Sequence, residues 1–143
     1  MSKVCVLQGP FNTVSGYGAH ARDIARSFIK GHSDWEVKLI DVKCADDVGK
    51  AINPLQIKGQ IEGAIVQAAG YTLLENFIQV DGLVKTDSLA TYLIPTIMDI
   101  PDKIDSIILE EIDPLGPAGA RGMAEMPYMP FAPAVLSAVH DAT

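Results

Sequence analysis

Hydrophobic positions change their period several times along the chain, and each change marks an element. Residues 3–8 (KVCVLQ) are a continuous apolar run closed by Gly9-Pro10, which predicts a buried strand. Residues 15–30 carry Ala19, Ile24, Ala25 and Phe28 near helical spacing and stop at Lys30-Gly31. Residues 35–42 (WEVKLIDV) place Trp35, Val37, Leu39 and Asp41 on one face of a second strand. The three together predict a β–α–β unit.

Asn53-Pro54 has the chemistry of a helix start. Asn caps free N–H groups, and Pro fits the first helical position. The apolar stripe Ile57, Ile61, Ile65, Ala68 and Ala69 predicts a helix to about Glu75. Gly59, Gly63 and Gly70 cost about 1 kcal/mol each in a helix, so their presence predicts close packing of another backbone. Residues 77–85 predict a hairpin around Asp81-Gly82. Residues 88–101, apolar but broken by Pro95 and Pro101, predict a buried extended loop. Residues 104–110 alternate Ile104, Ser106 and Ile108 against Asp105, Ile107 and Leu109, a strand pattern. A Gly- and Pro-rich loop over 113–125 follows, then a helix over 133–141 with Val135, Leu136 and Val139 inward. The expected fold class is α/β or α+β, a single mixed-sheet domain of three or four main strands backed by about three helices.

Composition narrows the functional classes. The chain has 143 residues, 48% hydrophobic and 20% charged, with a net charge of −7. That is a globular composition of one-domain size. An acidic chain without a basic run is a poor partner for nucleic acid or an anionic membrane. The start lacks a signal-peptide pattern and no stretch is apolar enough to span a membrane, so a cytoplasmic location is expected. Charge is uneven: the first 50 residues hold seven basic and six acidic side chains, the rest four and twelve. Such a shift can mark segments of different origin.

Three constellations could carry chemistry. Gly9-Pro10 with Ser15-Gly16-Tyr17-Gly18 lies between a strand and a helix start, where free N–H groups can hold an anion. Gly9, Ser15, Gly16 and Gly18 are either that loop or a simple glycine turn. Glu125 ends the loop Gly116-Pro117-Ala118-Gly119-Ala120-Arg121-Gly122-Met123-Ala124 and is either a general base or a solvated carboxylate. Gln60 offers both donor and acceptor and could read a heterocycle edge, or sit on an exposed polar face. His20, His32 and His140 have no ligand or triad spacing, and Cys5 with Cys44 makes no metal cluster, so no metal ligands are expected. Cys44, beside Asp46 and Asp47, is a poor nucleophile.

Four motifs in order carry a family resemblance. They are Asp47-Val48-Gly49 with Ile52-Asn53-Pro54, Gly59-Gln60-Ile61-Glu62-Gly63-Ala64, Tyr92-Leu93-Ile94-Pro95-Thr96 with Asp99-Ile100-Pro101, and Gly119-Ala120-Arg121-Gly122-Met123-Ala124-Glu125. From about residue 42 to 143 the chain resembles the C-terminal part of the molybdopterin-binding subunit of the xanthine dehydrogenase and aldehyde oxidase family. The resemblance implies a molybdenum hydroxylase fragment acting on purine-like heterocycles or aldehydes. It implies Glu125 as the base, Gln60 on the pterin, and Gly122 and Ala124 beside the molybdenum–molybdopterin cofactor. Ala124 stands where the family has glycine, and Met126 where it has proline, which alters how closely the backbone approaches the cofactor. Regions for iron–sulfur and flavin groups are not in this chain. It is expected to be inactive alone, not to hold the cofactor by itself, and to associate with the remaining hydroxylase domains or subunits, or with itself.

Residues 1–42, with Gln8-Gly9-Pro10-Phe11, Ser15-Gly16-Tyr17-Gly18 and Arg22, resemble the N-terminus of GT-B glycosyltransferases. That implies a sugar-nucleotide loop and a mosaic chain, natural or recombined, divided at 1–42 and 43–143. The competing classes are therefore a hydroxylase fragment, a sugar-nucleotide binding module and a folded chain with no activity.

Overall fold

The computed structural model describes residues 39–141. The strand and helix expected within residues 3–30, and the loop of Gly9, Ser15, Gly16 and Gly18, lie outside them.

Strand β1, Asp41–Asp47, pairs in parallel with β4, Lys103–Leu109, in the register Val42↔Ile104, Cys44↔Ser106 and Asp46↔Ile108. These six residues share one face, as the period of two requires. Of the strand expected over 35–42, residues 35–38 lie outside the described residues; β1 spans Asp41–Asp47, so the strand runs on beyond the expected end at Val42. Its polar letters hid it. Asp46 is only 5% exposed and accepts the Cys44 thiol hydrogen at 3.0 Å, so a carboxyl occupies a core position.

Helix α1, Pro54–Ala69, covers that face with Ile57, Ile61, Ala64, Ile65 and Ala68. Asn53 caps it, its Oδ1 accepting from the Gln56 N–H at 3.2 Å. The helix then widens into a π turn, Gly70–Leu74, so the helical segment ends close to the expected Glu75. Helix α2, Phe131–Asp141, closes the core with Phe131, Ala134, Val135, Ala138 and Val139. Ile61, Ile65 and Val135 are almost wholly enclosed.

The hairpin forms where expected, β2 (Gln79–Val80) against β3 (Leu83–Val84) through the Asp81-Gly82 turn. Its strands make a second, separate two-stranded sheet. The fold is thus a small α+β arrangement, with the described strands split between one parallel and one antiparallel pair.

Two expectations about packing are corrected. Residues 88–101 are irregular, but most of their apolar side chains face outward, among them Leu89, Leu93, Ile97 and Met98. Pro101 is buried and Tyr92, Pro95 and Ile100 are half-buried; the other apolar side chains of the segment are exposed. In the glycine stripe only Gly70 is closely packed. A Cβ there would collide with the Pro95 ring and the Glu75 carboxylate, whereas Gly59 and Gly63 face open space.

Candidate functional site

The glycine-rich loop is held to the end of β1 by backbone and side-chain bonds. Lys50 N–H donates to Gly119 O and Arg121 N–H to Val48 O, both at 2.8 Å. Gly49 has φ +63°, and a Cβ on it would lie inside the van der Waals shell of the Gly119 carbonyl oxygen. Only glycine lets the two segments approach so closely without strain.

Asp47 is the hub of this seam. Its Oδ1 accepts the N–H groups of Gly49 and Glu111, each at 3.0 Å, and its Oδ2 pairs with the Arg121 guanidinium. The two backbone bonds, with Arg121 assisting, hold its pKa below the ordinary carboxylate value. Arg121 also donates Nε–H to Asp113 at 3.3 Å. Asp113 is held low chiefly by the Leu115 N–H and also by Arg121. Ala51 N–H reaches Glu110 Oε1 at 2.8 Å, a further tie across the seam.

Between this loop and the first turns of α1 runs an open groove of about 580 Å³. Lys50, Gln56, Gly59, Gln60, Arg121 and Met123 line its polar and open side. The groove therefore combines two cationic side chains, the three carboxamides of Asn53, Gln56 and Gln60, and a glycine surface with nothing within 4 Å of the added methyl position. It can offer donors and acceptors to a planar heterocycle, and Lys50 adds a cation at its edge, while the Arg121 charge is met by Asp47 and Asp113.

The residues singled out in the sequence fall unevenly around it. Gln60 lines the groove. Gly122 and Ala124 are exposed and flank Met123, which also lines it. Glu125 lies beyond the end of the groove. It precedes a 3-10 turn, Met126–Tyr128, without capping it through its side chain. Its Oε1 accepts the Gln67 Nε2–H at 3.4 Å. Gln67 stands seven positions after Gln60, two turns on and on the same face, about 10 Å along the axis. One helix face thus places Gln60 and, through Gln67, Glu125 along one line.

Sequence reasoning missed Gln56, Gln67 and the anchoring role of Asp47. The spacing Gln56, Gln60, Gln67 is i, i+4, i+11, one exposed helical stripe, and was legible. Asp47 was not, because its partners come from residues 111 and 121. Burial first, then the Asp46 carboxyl, push the Cys44 thiol up to about 12, the direction that makes a poor nucleophile. Among the described residues no group of three His, Cys, Asp or Glu side chains could hold a metal ion, and no helix is long and apolar enough to cross a membrane.

Comparison with known proteins identifies the family to which this arrangement of strand, helix and glycine-rich loop belongs. Residues 7–101, two-thirds of the chain, match the molybdopterin cofactor-binding domain family, and the chain belongs to it. It is 37% identical over 126 residues, 88% of its length, to a probable xanthine dehydrogenase subunit of Bacillus subtilis. It is 40% identical over 94 residues to an indole-3-acetaldehyde oxidase of Arabidopsis thaliana. The crystal structure of quinoline 2-oxidoreductase from Pseudomonas putida superposes on 73% of the chain with a TM-score of 0.66 and 46% identity. The chain spans only 16%, 7% and 13% of these three proteins.

The glycosyltransferase resemblance of residues 1–42 gains no support. The family match begins at residue 7 and continues across residue 42. The 126-residue match likewise crosses that position, so one family accounts for both sides of the expected join.

Proposed function

We propose that this chain is the part of a molybdenum hydroxylase that holds one side of the molybdopterin and supplies the catalytic base. The observation that carries this is the alignment of Gln60 and Glu125 along one face of α1, beside a loop pinned by Asp47 and Arg121.

The groove fits such a cofactor. Molybdopterin presents pterin-ring donors and acceptors, which the carboxamides of Gln56 and Gln60 match, and a phosphate, which Lys50 matches. Gly59 leaves open the space a Cβ would fill. When bound, the molybdenum cofactor supplies the two-electron oxidation that accompanies transfer of a water-derived oxygen to a substrate carbon.

The protein's own work is positioning and proton transfer. Gln60 fixes the ring orientation. Gln67 holds Glu125 through Oε1, which leaves Oε2 as the atom that takes the proton. Ala124 and Met126 set the backbone beside it. Relatives named for xanthine and indole-3-acetaldehyde point to nitrogen heterocycles or aldehydes as the substrate class. Because the chain spans so little of those proteins, turnover requires the remaining hydroxylase domains or subunits.

The test is co-production with the remainder of a molybdenum hydroxylase and its cofactor, followed by metal analysis and turnover. Gln60→Leu should lower the molybdenum retained. Glu125→Gln should retain molybdenum and abolish turnover. Full turnover with Glu125→Gln would remove the base assignment, and molybdenum content unaffected by Gln60→Leu would remove the pterin contact.

A further inference from the structure

The hydrogen bond from Gln67 is a weak hold on Glu125. It spans 3.4 Å between two exposed side chains, and a long, solvated bond constrains little. A second contact lies one turn further on. Tyr71 follows Gln67 by four positions, on the same side of the helix and about 6 Å along its axis. Tyr128 follows Glu125 by three positions, across a 3-10 turn that also rises about 6 Å. The two steps match, and the rings of Tyr71 and Tyr128 meet with centroids 5.6 Å apart and planes inclined at 50°. That is a separation at which tilted aromatic pairs attract. Helix and turn are thus joined by two rungs, Gln67 to Glu125 and Tyr71 to Tyr128.

Both ends of the second rung are fixed. Tyr71 sits in the π turn, which Glu75 N–H closes onto Gly70 O at 2.8 Å. Its chain neighbours are Gly70, packed against the Pro95 ring, and Thr72, fully enclosed, so the turn is held on both sides of the tyrosine. Tyr128 N–H donates to Glu125 O at 3.1 Å, which ties its backbone to that of the glutamate. Pro127 between them is almost wholly enclosed, beside Val42, Ile65 and Phe131. Both tyrosines are half-buried, whereas Glu125 is exposed. The anchorage of this segment therefore lies in the rings and the proline, and the glutamate projects from it.

We propose that Tyr71 and Tyr128 are positioning residues for Glu125, their ring contact fixing the turn whose first residue presents the carboxylate. This assignment rests on the reading of Glu125 as the base. A reacting group displaced by about 1 Å can cost about a hundredfold in rate, so a contact that touches no substrate still reaches the chemistry.

The test has two arms. In the full chain without cofactor, nuclear Overhauser cross-peaks between the Gln67 side-chain amide and the Glu125 methylene protons report where the carboxylate stands. Wild type and Tyr71→Phe should show them, and Tyr71→Leu and Tyr128→Leu should lose them while keeping a cooperative melt. In the second arm the same variants are co-produced with the remainder of a molybdenum hydroxylase and its cofactor. Tyr71→Leu should lower kcat about ten- to a hundredfold with KM and molybdenum content unchanged, and Tyr71→Phe, which keeps the ring, should recover most of it. The double leucine variant should be no slower than the worse single one, because the two rings act as one contact. Tyr128→Leu removes that contact from the other side and carries both arms if Tyr71→Leu fails to fold. Cross-peaks that are absent from wild type, or that survive both leucine substitutions, overturn the proposal. So does a kcat lost equally in Tyr71→Phe and Tyr71→Leu, which would assign the effect to the hydroxyl. Full turnover by Glu125→Gln would overturn the base reading and this assignment with it. An inactive Glu125→Gln enzyme beside a Tyr71→Leu enzyme at wild-type kcat would overturn the positioning alone.

Discussion

Gly49→Ala is the sharpest probe of how the site is assembled, because the same substitution at Gly59 should act in the opposite direction. At Gly49 the backbone has φ +63°, where an L side chain costs about 1–2 kcal/mol. The new methyl would also press on Gly119 O and stand 3.0 Å from Arg121 N. To relieve that, the seam must open, which endangers the Lys50-to-Gly119 and Arg121-to-Val48 backbone bonds. Each is worth about 0.5–1.5 kcal/mol net. Gly49→Ala should therefore destabilise the chain by about 2–5 kcal/mol. At Gly59 the added methyl meets nothing within 4 Å inside a regular helix, so alanine should stabilise by up to about 1 kcal/mol. Urea unfolding followed by circular dichroism measures both, provided the transition is two-state. A loss below about 1 kcal/mol at Gly49, or similar losses at both glycines, would refute the account of the seam as a close approach that only glycine permits.

Two further outcomes test the buried polar pair in β1. Burial raises the Asp46 pKa above its ordinary 3.8, with the Cys44 thiol bond partly opposing. A raised folded-state pKa means that stability is fully present below the unfolded value and lost as pH rises through the folded one. The melting temperature of wild type relative to Asp46→Asn should therefore fall as pH rises from about 4 toward neutrality, and a pH-independent difference would contradict the burial argument. Because Asp47, Asp99, Asp105 and Asp113 are shifted downward and lose their contributions in acid, the comparison must be made against the variant at each pH. With its pKa pushed up to about 12, Cys44 should resist iodoacetamide at pH 8 in the folded chain and react readily in guanidinium; mass spectrometry of the Cys44 peptide reads this, and equal rates in both states would show that the thiol is not held in the core.

Local chemistry determined much of this protein by itself. Asn53-Pro54 starts α1, the apolar stripe from Ile57 to Ala69 faces the core, Asp81-Gly82 turns the hairpin, and the alternation after Lys103 makes β4. Each is a signal carried within one segment, through a cap, a period or a turn. Four motifs likewise announced the family before any geometry was known. Tertiary structure alone decided the rest. It extended β1 through Asp46 and Asp47, because the buried carboxyl and the anchoring carboxylate are satisfied by a thiol, two amide groups and a guanidinium, three of them supplied by other segments or a turn. It separated a packed Gly70 from an open Gly59, a difference set by whether Pro95 or solvent faces the helix. It turned an apolar strap outward, since hydrophobicity says that a residue favours cover but not whether this chain provides it. And it put Gln67 beside Glu125, a pairing of residues 58 positions apart that no local pattern encodes.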